Sequence, residues 1–254
     1  MLPSSIEPIN VNQLVVKYDS KVAVNQLSFT VKEGQIYGLL GPNGAGKTST
    51  IKAILGLVDP AAGSVTVYGK SVRNDPVEVK SRVGAVLESP VLFDSLTPNE
   101  FLEFVGSVRR VRDPQKVKSL VEAFDIQEYM DTPIVALSMG NKQKVAVIAA
   151  LIHEPSLLIL DEPFNGLDVR SVAIFKDLIL NHTKKGGAVL FSTHIMDVAE
   201  RICTEVGIID QGQMVAQGTM EELKEKIHGS TLEEIFLKAT NLEQEIDEVL
   251  KGLQ

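Results

Sequence analysis

Short apolar runs with β-branched and aromatic side chains dominate the first forty residues: Leu14-Val15-Val16, Leu27-Ser28-Phe29-Thr30-Val31 and Gln35–Leu40. The turn residues Lys32-Glu33-Gly34 separate the last two, so three strands are predicted. Residues Ser49–Leu57 then place apolar side chains at helical spacing and stop near Asp59-Pro60, and Gly63–Tyr68 returns to strand alternation. From about residue 90 the pattern turns helical. Thr97-Pro98-Asn99-Glu100 has the order of a capping box with proline at the first helical position, Asp113-Pro114 starts a second helix, and Leu120–Met130 continues helical. From Leu157 the chain alternates again. Strands are predicted at Leu157–Leu160, Ala188–Ser192 and Val206–Ile209, and helices near 169–182 and 195–203. Two further helix starts follow, Thr219-Met220-Glu221-Glu222 and Thr231-Leu232-Glu233-Glu234. Strands alternating with helices argue for a largely parallel α/β sheet with a helical lobe inserted in it.

Composition changes this picture little. The chain has 254 residues, 44% hydrophobic and 23% charged, enough for one large domain or two closely packed lobes. A net charge of -8 argues against nucleic acid as a general partner. The local cluster Arg109-Arg110-Val111-Arg112 is read as a solvated helix face. The single cysteine, Cys203, is expected to be a buried apolar residue in a reducing compartment. The start lacks the pattern of a signal peptide, and the longest apolar run, Val145–Ile152, falls well short of the ~20 residues that span a bilayer.

The candidate chemistry starts at Gly41-Pro42-Asn43-Gly44-Ala45-Gly46-Lys47-Thr48, followed by Ser49. The spacing G-x-x-x-x-G-K-T between a predicted strand and a predicted helix is that of a phosphate-binding loop. Gly44 and Gly46 permit unusual dihedrals, backbone N–H groups from Asn43 to Thr48 can point inward, Lys47 can reach the β- and γ-phosphates, and the Thr48 hydroxyl can ligate Mg²⁺. Downstream, Leu157-Leu158-Ile159-Leu160-Asp161-Glu162 is an apolar strand that ends in two acids. Ligands bind at the carboxyl ends of such strands. Asp161 suits a Mg²⁺ shell, and Glu162 suits orienting and deprotonating water. His194, just after the strand Ala188–Ser192, suits a hydrogen bond to the γ-phosphate.

Together these residues resemble the ATP-binding-cassette ATPases over roughly residues 11–225. The segment Leu137-Ser138-Met139-Gly140-Asn141 resembles that family's LSGGQ signature, about 20 residues before the strand-end acids. The resemblance implies a P-loop NTPase fold with a mainly parallel sheet, an antiparallel β portion near the N-terminus and an inserted helical lobe. It divides the chain into an ATP-binding core lobe (1–89 and 156–218), a helical lobe (90–155) and a short helical tail (219–254). It implies ATP and Mg²⁺ as cofactors, with Ser138 and Gly140 binding the γ-phosphate held by a second copy or a homologous ATPase. Tyr18 would stack on adenine, and Asn165-Gly166-Leu167-Asp168 looks like the loop that passes between the two copies. An integral membrane permease would be the second partner, holding the chain at the cytoplasmic face.

Met139 and Asn141 depart from the signature, and Glu88 stands where the family usually has Gln, in reach of Mg²⁺. A Glu at that position is similar to ATPases of bacitracin- and lantibiotic-resistance exporters. Two alternatives stay open: a cassette ATPase without a membrane partner, which usually has two cassettes or a long coiled coil, and a P-loop GTPase or kinase. Asn141-Lys142-Gln143-Lys144 lacks the aspartate that a guanine-reading Asn-Lys-x-Asp requires.

Overall fold

The computed structural model describes residues 6–111 and 113–243. The chain opens with an antiparallel pair, β1 (Ile9–Tyr18) and β2 (Lys21–Val31), both longer than their apolar runs because the flanking polar residues pair as well. Then come β3 (Ile36–Leu40), α1 (Lys47–Ile54), β4 (Ala62–Val67), β5 (Lys70–Ser71), α2 (Pro76–Arg82) and β6 (Val83–Val86). The helical insert holds α3 (Pro98–Arg109), α4 (Pro114–Ala123) and α5 (Met139–Leu151). It is followed by β7 (Leu157–Asp161), α6 (Val169–Lys184), β8 (Ala188–Ser192), α7 (Met196–Ile202), β9 (Glu205–Asp210), β10 (Gln213–Gly218), α8 (Met220–Ile227) and α9 (Leu232–Ala239).

Two sheets result. One is antiparallel, in the order β2-β1-β4-β5. The other runs β10-β9-β3-β8-β7-β6 and is parallel except for β10, which pairs antiparallel with β9. Both faces of the sheet are covered at β3, β7, β8 and β9, which is why these strands read as near-continuous apolar runs. Alternate residues serve opposite sides: Leu157 and Ile159 pack with the antiparallel sheet and α1, and Leu158 and Leu160 pack with the helical insert and α6. Buried backbone leaves polar groups free to emerge only at strand ends. The carboxyl ends of β3, β7 and β8 lie side by side, since Leu39 pairs with Ser192 and Ser192 with Asp161.

The predicted helix starts are present. Thr97 and Glu100 form a reciprocal capping box, as do Thr219 and Glu222, and Asp113 caps α4. Several expectations need correction. The predicted helix through Leu120–Met130 breaks: α4 stops at Ala123, Asp125 takes φ 56, and Gln127–Tyr129 forms a single tight turn. This break lets Phe124 and Ile126 both enter the core. The basic cluster is solvated only in part. Arg109 ends α3 and its guanidinium donates to the Lys80 carbonyl, Arg110 is the left-handed cap, and Arg112 lies outside the described residues. Strands β5 and β10 and helix α2 were not anticipated, because each is short and held by pairing or packing with distant elements. Cys203 is largely buried, its Sγ lying where a side chain on Gly38 would be, and burial pushes its thiol well above the usual range. The tail beyond residue 243 lies outside the described residues.

Phe175 of α6 is fully buried and meets Phe124 of the insert and Phe164 of the loop after β7, both edge-on. Phe175→Ala is therefore expected to lower unfolding free energy by about 3–5 kcal/mol in urea denaturation. A loss below ~1 kcal/mol would mean that this aromatic cluster does not join the two layers.

Candidate functional site

The loop after β3 turns at the carboxyl edge of the sheet. Gly46 caps α1 at φ 108, and a Cβ there would meet the Ala23 carbonyl oxygen of β2 at 2.5 Å, so only glycine fits without movement. No side chain caps α1. The amides of its first turn, Lys47, Thr48 and Ser49, therefore present an uncapped positive helix end to the cleft. Lys47 is buried, and its Nζ donates to the Gly41 and Pro42 carbonyls at 2.7 and 3.2 Å. Burial pushes its pKa down, and the nearby Glu162, Asp161 and Glu88 carboxylates oppose that shift.

A cleft of about 390 Å³ gathers Tyr18, Asn43, Gly44, Gly46, Lys47, Thr48, Ser49, Glu88 and Glu162. Gly41, Pro42 and Ala45 form the base of the same loop; the Ala45 N–H donates to the Pro42 carbonyl at 3.1 Å. Lys21 and Ala23 line the cleft too, and sequence reasoning missed them. Asp19 at φ 51 makes a tight turn that sets Lys21 opposite Tyr18, a placement that no sequence pattern marks.

Asp161 is fully buried. Its Oδ1 accepts from the Ser192 hydroxyl at 2.5 Å, while Oδ2 is buried with no hydrogen-bond partner among the described residues. Glu162 next to it takes φ 47, a strained setting for a residue with a side chain. Its N–H donates to both the carbonyl and the hydroxyl of Ser192, at 3.2 and 3.1 Å. Ser192, read from sequence only as a strand end, thus supports both acids. His194 Nδ1 lies 2.9 Å from Glu162 Oε2, with Glu162 almost wholly buried and the His194 side chain 57% exposed.

The unpartnered Asp161 oxygen, the Thr48 hydroxyl and the Glu88 carboxylate fit Mg²⁺, a hard cation held by one or two carboxylates together with phosphate oxygens. Among the described residues no three His, Cys, Asp or Glu side chains form a metal cage by themselves. An ion here would therefore depend on the phosphates for its remaining ligands.

The signature residues lie elsewhere. Ser138 caps α5, its Oγ accepting from the Asn141 N–H at 3.2 Å, and neither Ser138 nor Gly140 lines the cleft. A Cβ on Gly140 would fall 2.5 Å from the Gly166 carbonyl oxygen, so the helix end packs directly on the turn 165–168. Gln143, buried in α5, donates to the Pro163 carbonyl at 3.1 Å. Asp168 also lies outside the cleft. It caps α6 through the Ser171 N–H at 2.8 Å and pairs with the buried Lys144 at 2.7 Å. Lys144 and then the Ser171 amide hold its carboxyl well below the usual carboxylate range.

A glycine-capped helix end above two strand-end acids, on a parallel sheet, defines a P-loop nucleotide hydrolase. A family profile described as ABC transporter matches residues 24–165. The ATP-binding protein NatA of Bacillus subtilis (strain 168) is 35% identical over 219 residues, covering 85% of this chain and 89% of NatA. The linearmycin resistance ATP-binding protein LnrL of the same strain is 34% identical over 227 residues, covering 88% of this chain and 73% of LnrL. A solved ATP-binding subunit of an ABC transporter superposes with TM-score 0.85 at 30% identity, covering 91% of this chain and 98% of that one. The chain belongs to the ABC transporter family, on its ATP-binding, ATP-hydrolysing side.

Gly46→Ala is expected to weaken ATP binding at least about ten-fold, the equivalent of ~1.4 kcal/mol of loop strain, with the folded core retained. A fluorescent-nucleotide titration beside a circular-dichroism melt checks it; parental affinity would show that the left-handed cap is dispensable.

Proposed function

We propose that this chain is the nucleotide-binding subunit that powers a separate membrane-spanning permease, with export as the direction. Residues 1–89 and 156–218 form the ATP-binding core, 90–155 the signature lobe and 219–254 the tail. Among the described residues no helix is long and apolar enough to cross a membrane. The observation that carries the reading is the division of the anion-binding groups. The phosphate loop, Glu88 and Glu162 share one cleft, while the Ser138–Gly140 helix end lies outside it. A second copy, or a homologous ATPase, docked head-to-tail brings each signature to the other's γ-phosphate, where a helix N-terminus is a ready anion site.

In that closed pair Tyr18 stacks on adenine, and the amides from Asn43 to Thr48 cradle the phosphates with Lys47. Thr48, Asp161 and Glu88 would hold Mg²⁺, which would supply neutralisation of the phosphate charge. Lys47 exchanges its bonds to Gly41 and Pro42 for phosphate oxygens. Glu162 orients the attacking water and takes its proton, and His194, already bonded to Glu162, stabilises charge on the transferring phosphoryl group. Asp168 acts at the boundary between the copies. Attachment at the cytoplasmic face of the membrane is supported by an apolar groove lined by Pro90, Val91, Leu92 and Phe101, with Phe93 and Phe104 exposed beside it. A permease helix docking there sits next to Glu88. Export is supported by Glu88 itself and by the resistance role in the name of LnrL, since resistance is served by outward transport.

Glu162→Gln is expected to keep ATP binding, to slow turnover roughly 100-fold or more and to accumulate an ATP-bound dimer. Turnover at the parent rate, read by phosphate release, would remove Glu162 from the mechanism. Glu88→Gln is expected to shift the Mg²⁺ and Mn²⁺ dependence of hydrolysis to higher concentration, through loss of one anionic ligand. Superimposable metal titrations of the two proteins would place Glu88 out of reach of the ion.

A further inference from the structure

His194 sits between β8 and α7, and α7 depends on its neighbours to hold its position. It has seven residues and no side-chain N-cap, and isolated helices shorter than about 12 residues are marginal in water. On one flank Val198, Ala199 and Ile202 are buried. Among the described residues, the polar bonds that fasten α7 to the helices after it come from one carboxylate. Glu200 Oε1 accepts from Lys224 Nζ of α8 at 3.3 Å, and Oε2 accepts from the Leu232 N–H, the first amide of α9, at 3.1 Å. That amide has no acceptor within its own helix, and an anion there also meets the positive helix end. Leu223 of α8 and Leu232, Ile235 and Phe236 of α9 are buried in the same core as Val198, Ala199 and Ile202. At the start of α7 the Ile195 N–H donates to Thr193 Oγ1 at 3.0 Å, which leaves His194 inside a short tether.

We propose that Glu200 is a positioning residue for ATP hydrolysis: by fastening α7 to α8 and α9 it sets His194 against Glu162, and it makes the C-terminal helical pair a control point for turnover. This rests on the roles given above to His194 and Glu162. Glu200 touches neither the phosphate loop nor the cleft; its effect passes along α7 to the imidazole. A partner that lifts α8 and α9 from α7 slows hydrolysis through the same bonds.

The test compares steady-state ATPase kinetics with hydrogen exchange. Glu200→Ala is expected to lower kcat about ten-fold, less than the ~100-fold that a full ångström of misplacement brings, with KM for ATP unchanged. Exchange should quicken across residues 193–203 and stay as in the parent across 39–50. Glu200→Gln, which keeps an acceptor for the Leu232 amide, recovers part of kcat, and Lys224→Met, which releases α8 alone, gives an intermediate loss. Should Glu200→Ala not fold, these two carry the same comparison. Lys116→Ala, which removes a surface pair with Glu154 of 2.6 Å remote from α7, should keep the parent kcat. Parental kcat in the Glu200 variants overturns the proposal, and so does a lowered kcat with unaltered exchange across 193–203. His194→Ala is measured alongside. If it turns over at the parent rate, the role of His194 itself fails; if it is slow while the Glu200 variants are normal, only the role of Glu200 fails.

Discussion

The Ser192 side chain at the end of β8 is the point on which the site's geometry depends. Its hydroxyl donates to one oxygen of Asp161, and its hydroxyl and carbonyl oxygens both receive the Glu162 N–H. One consequence is that Asp161 is held by one oxygen, while the other is buried with no hydrogen-bond partner among the described residues, a setting in which an unpaired acceptor is unfavourable. Another is that Glu162 is held in a left-handed conformation that it would not adopt alone. Both follow from parallel pairing that brings Asp161 level with Ser192, so a slip of one residue between β7 and β8 would undo them together.

Two-sided burial of the sheet gives this bridge its setting. With apolar layers on both faces, the carboxyl edge is where charge gathers, and Lys47, Asp161, Glu162 and Glu88 meet there. One buried cation among three carboxylates leaves that edge net negative. The uncapped end of α1 offsets part of this, and a divalent cation would offset more.

The helical insert and the tail attach to the same edge by different means. Gln143 and Lys144 of α5 reach across to Pro163 and Asp168, so the signature end of that helix and the turn after the acids form one piece. On the opposite side Glu200 binds α7 to α8 and α9. The turn after the two strand-end acids and the helix after β8 are thereby each tied to helices elsewhere in the chain.

What the sequence by itself determined is what short-range chemistry encodes. The glycine spacing of the phosphate loop, the acids ending an apolar strand, the capping residues Thr97, Asp113 and Thr219, and the alternation of strands and helices all depend on neighbours within a few residues. The tertiary structure alone decided the rest. The break at Asp125, the pairing of β10 on β9, Lys21 and Ala23 in the cleft, the Ser192 bridge to Asp161, and the link from Glu200 to Leu232 join residues by burial or by pairing across the chain. Such contacts have no local pattern, because each partner is an ordinary residue until the fold places the other beside it.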